Sequence, residues 1–362
     1  MPYLTGVSLR VDSPDASSAA VATPDARAAP GRSRRLGLFV FLTVLLLGAL
    51  FASLAIGTRN VAPGEVFAML GGERAGDAGL IRDLRVPRTL LGLLVGVALG
   101  MAGAVAQDVT RNPLADPGLI GVSAGAAFAV AASVGLLGLT GSHGYLWFAF
   151  LGAAVAGAIA YLVGGAGVGG ATPAKLALAG AAVSALLEAG TGALVLTDPD
   201  SLGRYRSWAV GSLAGRDSET TLFLLPFVVV GGCLALALTG RLNALALGDE
   251  LATTLGTRAG TTRALGALVV VLLTGTAVAA AGPIVFVGLV VPHVLRAFTG
   301  PDARWLVPCS GLAGAVLLLL ADVIGRVIAR PTEVEVGVVT AFLGAPFLIY
   351  LVRRGRIGEH SG

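Results

Sequence analysis

The sequence is a series of apolar runs, most of them close to 20 residues, with only short polar stretches between them. They occupy 36–57, 89–106, 118–140, 145–168, 176–197, 221–240, 264–282, 284–295, 305–325 and 337–352. A helix that crosses a bilayer needs about 20 mainly apolar residues. The chain is 55% hydrophobic and 13% charged, whereas a soluble domain is about a quarter charged. The reading is an all-α integral membrane protein with about ten transmembrane helices in a compact bundle. The eighth run is short and parted from the seventh only by Gly282-Pro283, so the count is ten, give or take one.

Residues 1–35 are rich in Ala, Ser, Pro and Asp and carry no period, as a disordered cytoplasmic tail would. The transmembrane domain then fills 36–362. A cleaved signal peptide is the rival reading, since Ser53 and Ala55 could form a small-residue cleavage site. The leader and the apolar run that follows it are both too long for one.

Ten spans put both termini on one side. Arg32, Arg34 and Arg35 at one end and Arg353, Arg354 and Arg356 at the other mark that side as the cytoplasm. On this topology 15 of the 25 basic residues lie inside and ten outside. The bias has the right sign but is shallow. Arg59, Arg74, Arg82, Arg85 and Arg88 crowd one outer segment, against the usual rule, and that cluster calls for a functional reason. The arginines otherwise sit at the ends of apolar runs, which argues against a nucleic-acid partner despite the basic balance. Cys233 and Cys309 both lie inside apolar runs, so neither a disulfide framework nor a cysteine metal site is implied.

Glycine recurs at helical spacing. Gly92, Gly96 and Gly100 form a double GxxxG in the second run, and Gly121 and Gly125 repeat it in the third. Such stripes let backbones approach where no hydrophobic force drives helices together, so they read as packing faces.

Five segments stand out. In "RNPLADPGLIG" (111–121), Pro113 and Pro117 remove donors and bias Asn112 and Asp116 away from the α region. At membrane depth such backbone must be buried in protein or line a cavity. It is either a cytoplasmic turn or a pore-lining break near the inner mouth. In "LRVPR" (84–88), Arg85 and Arg88 are three apart and share a helical face, for interfacial snorkelling or for an acidic partner outside. The polar stretch 241–263 is helix-prone: Asp249 and Glu250 suit a helix start and Gly256 its end. In "ADVIGRVIARPTEVEVG" (321–337), Asp322 and Arg326 stand at i, i+4, and Arg326 could pair there or join the outer basic patch. Glu188, inside the fifth run, should face the bundle or a wet cavity, because an unpaired carboxylate in hydrocarbon is costly.

Absences narrow the chemistry. A Walker A loop needs Gly-Lys followed by Ser or Thr, and the sole lysine, Lys175, stands between Ala174 and Leu176. ATP-driven transport would therefore need its ATPase on another polypeptide. No GxSxG, HExxH or paired-Cys motif occurs, and no cofactor or metal is implied.

The chain resembles the FecCD-type permeases, the membrane subunits of ABC importers for iron–siderophores, haem and cobalamin. The matching pieces are "LRVPRTLLGLLVGVALGMAGAVAQ", "RNPLADPGLIGVSAGA", "WAVGSLAGR", "LALGDELATTLG", "GPIVFVGLVVPHVLR" and "LLLLADVIGRVIARPTEVEVGVVTAFLGAP", in the family's order from about residue 60 onward. The resemblance implies a dimer with the pathway along the subunit interface, two cytoplasmic ATPase subunits and an external substrate-binding protein. It implies that Arg85, Arg88 and Arg326 dock that protein, and that Asn112 and Leu114 form the cytoplasmic gate. It implies that Leu247, Gly248, Asp249, Glu250, Ala252, Leu255 and Gly256 form the helix that couples to the ATPase. Iron–siderophore is the first choice of cargo, with haem or cobalamin as alternatives. Glu188 matches no motif and remains a possible pathway residue. A secondary transporter driven by an ion gradient is the rival class, since Glu188 and broken helices would suit one.

Overall fold

A computed structural model describes residues 31–71, 78–139, 142–166, 172–197, 203, 205–206, 208–216 and 218–359. Residues 1–30, most of the expected tail, and Arg74 lie outside the described residues; Arg32, Arg34 and Arg35 already belong to the first helix. The described residues form helices and connecting turns, with no strand. The helices are α1 (Arg32–Ala55), α2 (Pro63–Leu70), α3 (Val86–Thr110), α4 (Val122–Gly135), α5 (Ser142–Gly165) and α6 (Pro173–Thr197). They continue as α7 (Ser218–Ala246), α8 (Asp249–Thr254), α9 (Ala259–Ala281), α10 (Val287–Thr299), α11 (Ala303–Ile328) and α12 (Val336–Glu359). A short helical turn and a π-turn, Ile81–Arg85, lead into α3.

Among the described residues, seven helices are long and apolar enough to cross a membrane: α1, α3 with its π-turn, α5, α6, α7, α9 and α11. Three shorter apolar helices, α4, α10 and the Val336–Leu351 part of α12, complete the ten runs read from the sequence. The spans differ in their share of burial. In their most apolar windows α3, α9 and α11 are 78%, 72% and 67% buried, against about a third or less for α1, α5, α6 and α7. The first three are the core; the others turn Leu, Val and Phe outward, away from the rest of the chain.

Small residues explain the core. A methyl group added at Gly96 would lie 2.5 Å from the Cα of Ala315 on α11, and one at Gly100 would collide with the Ser310 carbonyl. One at Gly103 would strike Gly288 at the start of α10. The double GxxxG is therefore a packing face, buried over its length. Gly125 meets Gly152 in the same way between α4 and α5. Gly121 is different. It adopts φ 83° between the Pro117–Ile120 turn and α4, so it is a left-handed turn glycine and not part of a helical stripe.

Two helices begin partway along the bundle. The α10 helix has 13 residues, about 20 Å of rise, too short for a span. Gly288 packs against Pro117 and Leu99, and Leu99 is midway along α3. The non-helical segment 282–286, which ends with Phe286 in the left-handed conformation at φ 70°, carries the chain from the end of α9 to that depth. The α4 helix, 14 residues long, starts beside it after the proline-rich break.

We predict that Gly100→Leu destabilises the bundle by about 1–3 kcal/mol or more, since the colliding atom is backbone and cannot turn aside. Thermal unfolding of the detergent-solubilised protein checks this; a midpoint equal to wild type contradicts it.

Candidate functional site

The arginines at one end of the bundle have an internal task. The last carbonyls of a helix have no partner in their own ladder. Past the end of α1, Arg85 donates to the Leu54 carbonyl at 2.5 Å and to the Arg59 carbonyl. Arg326 donates to the Ser53 carbonyl at 3.0 Å, and Arg330 to the Gly57 carbonyl at 2.5 Å. Guanidinium groups suit this place, because the carbonyl end of a helix is its negative end. Of the five arginines that ran against the positive-inside pattern, Arg85 thus joins Arg326 and Arg330 in capping the exit of α1.

Arg88 and Asp322 join α3 to α11 behind this seal. Arg88 Nη2 donates to Asp322 Oδ1 at 2.8 Å, and Nε shares both carboxylate oxygens at 3.1 and 3.2 Å. Arg88 Nη1 reaches Glu333 at 2.7 Å. Arg326 Nε lies 3.0 Å from Asp322 Oδ2, the i, i+4 pair read from the sequence. Ser53 and Thr89 hydroxyls close the set at 2.8 Å. Arg85 and Arg326 are 6% and 3% exposed, so neither presents its charge outward. The external patch expected from the sequence is, at these two positions, a buried network. Arg88 also reaches a more exposed acid, Glu333. A cavity of about 620 Å³ opens here, walled by Arg59, Arg85, Arg88, Arg216, Asp83 and Glu333 among others.

At the opposite end the break after α3 is closed by its own side chains. Arg111 ends α3 in the left-handed conformation, φ 48°. Asn112 Oδ1 accepts from the Leu114 N–H at 2.9 Å, and Asp116 Oδ1 from the Gly118 N–H at 2.8 Å. These Asx turns replace the helix ladder that the prolines interrupt. Asn112, Ala115 and Asp116 line a cavity of about 170 Å³ with Tyr161 and Leu176, while Asn112 and Leu114 are exposed.

The 241–263 stretch is shorter as a loop than its composition implied. The α7 helix runs on to Ala246, so Arg241 is still helical, and α9 starts at Ala259. Between them α8 carries Asp249 and Glu250 in its first turn, and Gly256 follows with φ 76°. Ala252 is fully buried, whereas Leu247, Leu251 and Leu255 are 54–62% exposed. Leu251 and Leu255 are four apart on α8 and share a face, whereas Leu247 precedes the helix across Gly248, φ 110°. Sequence reading missed Leu251; the i, i+4 spacing of Leu251 and Leu255 in a polar stretch was the signal. Glu188 also departs from expectation. It lies on the outer face of α6, exposed, and does not turn into the core. Among the described residues no three His, Cys, Asp or Glu side chains gather as metal ligands.

A bundle of spanning helices with broken half-helices and an exposed apolar loop helix is the build of a multi-pass membrane permease. The chain belongs to the FecCD transport family, whose model matches residues 45–354. It is 44% identical over 338 residues to the ferric enterobactin transport system permease protein FepD of Escherichia coli K12, covering 93% of this chain and 98% of that one. It is 41% identical over 325 residues to the Fe(3+)-citrate import system permease protein YfmD of Bacillus subtilis 168, covering 90% and 96%. The hemin transport system permease protein HmuU of Yersinia pestis is 37% identical over 325 residues, covering 87% and 95%. An inward-facing structure of a metal-chelate type ABC transporter, described as putative, superposes with a TM-score of 0.78 at 29% identity, over 88% of this chain and 99% of that one.

Asp322→Asn should cost about 3–5 kcal/mol, because it leaves Arg88 and Arg326 buried without their shared counter-ion. A thermal midpoint within error of wild type would remove the network from the account. A second prediction concerns pH. Partial burial pushes the Asp249 carboxyl up, but hydrogen bonds and charges of Arg263 and Arg111 hold it below its ordinary value. A depressed carboxylate stabilises the fold above its unfolded value and loses this as pH falls through the folded one. The contribution is therefore complete at neutral pH and lost only below the ordinary carboxylate range. Unfolding followed from pH 8 to pH 5 should show none of the Asp249 contribution lost, measured as the difference between wild type and Asp249→Asn.

Proposed function

We propose that the chain is the permease subunit of an ATP-driven importer that carries an iron–siderophore complex across the cytoplasmic membrane. The observation that carries the cargo is the 44% identity to the ferric enterobactin permease over nearly the full length of both chains. ATP is hydrolysed on separate cytoplasmic subunits, since the lone lysine cannot form a Walker A loop. Both termini, and with them α8 and the Asn112–Leu114 break, then face the cytoplasm, and the Arg88 end faces out.

On this reading α8 is the coupling helix, Leu251 and Leu255 are the face that enters the ATPase, and Leu247 is an exposed apolar residue at its entry. Asn112 and Leu114 gate the inner mouth. A binding protein delivers cargo at the outer cavity, where one of its acidic residues meets Arg88; Arg85 and Arg326 support that wall from behind. A second permease subunit covers the outward face of α6, which removes Glu188 from hydrocarbon, a placement lipid alone would penalise.

The test is uptake by a strain deleted for the gene, complemented in trans, using a radiolabelled ferric catecholate, ferric citrate, haem and cobalamin. Restored ferric-siderophore uptake supports the cargo. Restoration of haem or cobalamin alone overturns it. Uptake that survives ATP depletion but fails with an uncoupler overturns the importer in favour of a secondary transporter. Replacing Leu251 with Glu and Leu255 with Asp together should abolish uptake and leave the protein inserted in the membrane.

A further inference from the structure

The α8 helix has little apolar hold on the bundle: of its six residues, only Ala252 is buried. Its firm attachment is ionic. Arg263, in the first turns of α9 and only 8% exposed, donates to Asp249 Oδ1 at 2.8 Å. Arg111, from the break after α3, donates to that same oxygen. The Arg111 guanidinium also donates to the Leu245 carbonyl at 2.6 Å, at the last turn of α7. One carboxylate thus gathers the end of α3, the α7–α8 corner and the start of α9.

The position of Arg111 makes this more than a surface pair. Left-handed backbone costs a non-glycine residue about 1–2 kcal/mol and persists where its surroundings enforce it. Arg111 N–H bonds back to the Asp108 carbonyl at 3.3 Å, and Asn112 N–H to the Gln107 carbonyl at 3.1 Å, which closes the end of α3. The side chain then points to α8 while Asn112 turns the chain to Leu114. A displacement of Asp249 acts on Arg111, whose φ and ψ set the direction of the break. The second guanidinium, Arg263, binds the same carboxylate to the first turns of α9, which therefore belong to the moving unit.

We infer that Arg111, Asp249 and Arg263 form a clasp that makes the loop helix and the 111–118 break move as one body. Arg111 and Asp249 are positioning residues. In importer terms, which rest on the reading above, the clasp carries motion from the ATPase face of α8 to the gate.

The clasp can be tested without any transport partner. Hydrogen exchange is measured on the permease alone in lipid nanodiscs, read in peptides covering 111–118. Asp249→Asn and Arg111→Gln should each speed exchange there by about tenfold or more, the loss of charge-assisted hydrogen bonds. The double variant should fall short of the sum of the single changes, since the Arg111–Asp249 link is lost in each. Asp249→Glu, which keeps a carboxylate within reach of two flexible arginines, should restore most of the protection. Glu250→Gln, a charge lost from the same turn, should leave 111–118 unchanged. Exchange in 111–118 at the wild-type rate in both single variants overturns the clasp, as does a double variant whose effects add in full. Neither result bears on cargo or energy source, so failure of the clasp and failure of the importer reading are separable.

Discussion

The constraint on which the structure depends is that no water is present in hydrocarbon to satisfy a backbone. Every place where a helix stops must therefore bring its own partners. At the end of α1 these are arginine side chains, with Arg326 and Arg85 donating to the Ser53 and Leu54 carbonyls and Arg330 to that of Gly57 just beyond. At the break after α3 they are Asn112 and Asp116, each closing an Asx turn. The two ends solve one problem with different residues. Guanidinium groups reach several carbonyls of a helix exit, whereas short amide and acid side chains rebuild a turn between two prolines.

Packing follows from the same solvent. Lipid tails are as apolar as leucine, so helices gain by close backbone approach, not by hiding apolar surface. Gly96, Gly100 and Gly103 bring α3 against α11 and α10, and the leucines and valines that a soluble protein would bury face outward on α1, α5, α6 and α7. The result is a stiff core of α3, α9 and α11, with short elements attached to it by polar links. Those links, not the core, are where motion is cheapest.

The spans were legible because hydrophobic length alone specifies them: ten apolar runs correspond to ten apolar helices. Their ends were less so. Polar residues such as Arg241 and Asn243 belong to α7, because a helix in a membrane protein continues past the lipid into water without changing period. Gly121 fits a GxxxG spacing yet serves a left-handed turn, a distinction that depends on the short Pro117–Ile120 turn that ends at it. Arg85 and Arg326 looked external by sequence, since composition cannot tell a charge that meets a partner from one that caps a neighbouring helix. Glu188 lies on the exposed face of its helix, because periodicity in an all-apolar run does not mark which face meets the bundle. The asp–arginine links of the loop helix were invisible as a set, because Arg111 and Asp249 are 138 residues apart.

The central claim is that α8 and the break at 111–118 form one moving unit against a fixed core. Pulsed electron spin resonance measures this directly, with spin labels introduced by Leu114→Cys and Leu255→Cys and a reference label by Leu47→Cys on the outer face of α1. The exposed Cys233 is first replaced by Ser. In the complex with its ATPase, ATP should change the distances from the reference to both labels while the 114–255 distance stays constant. A 114–255 distance that changes as much as the reference distances would contradict the account.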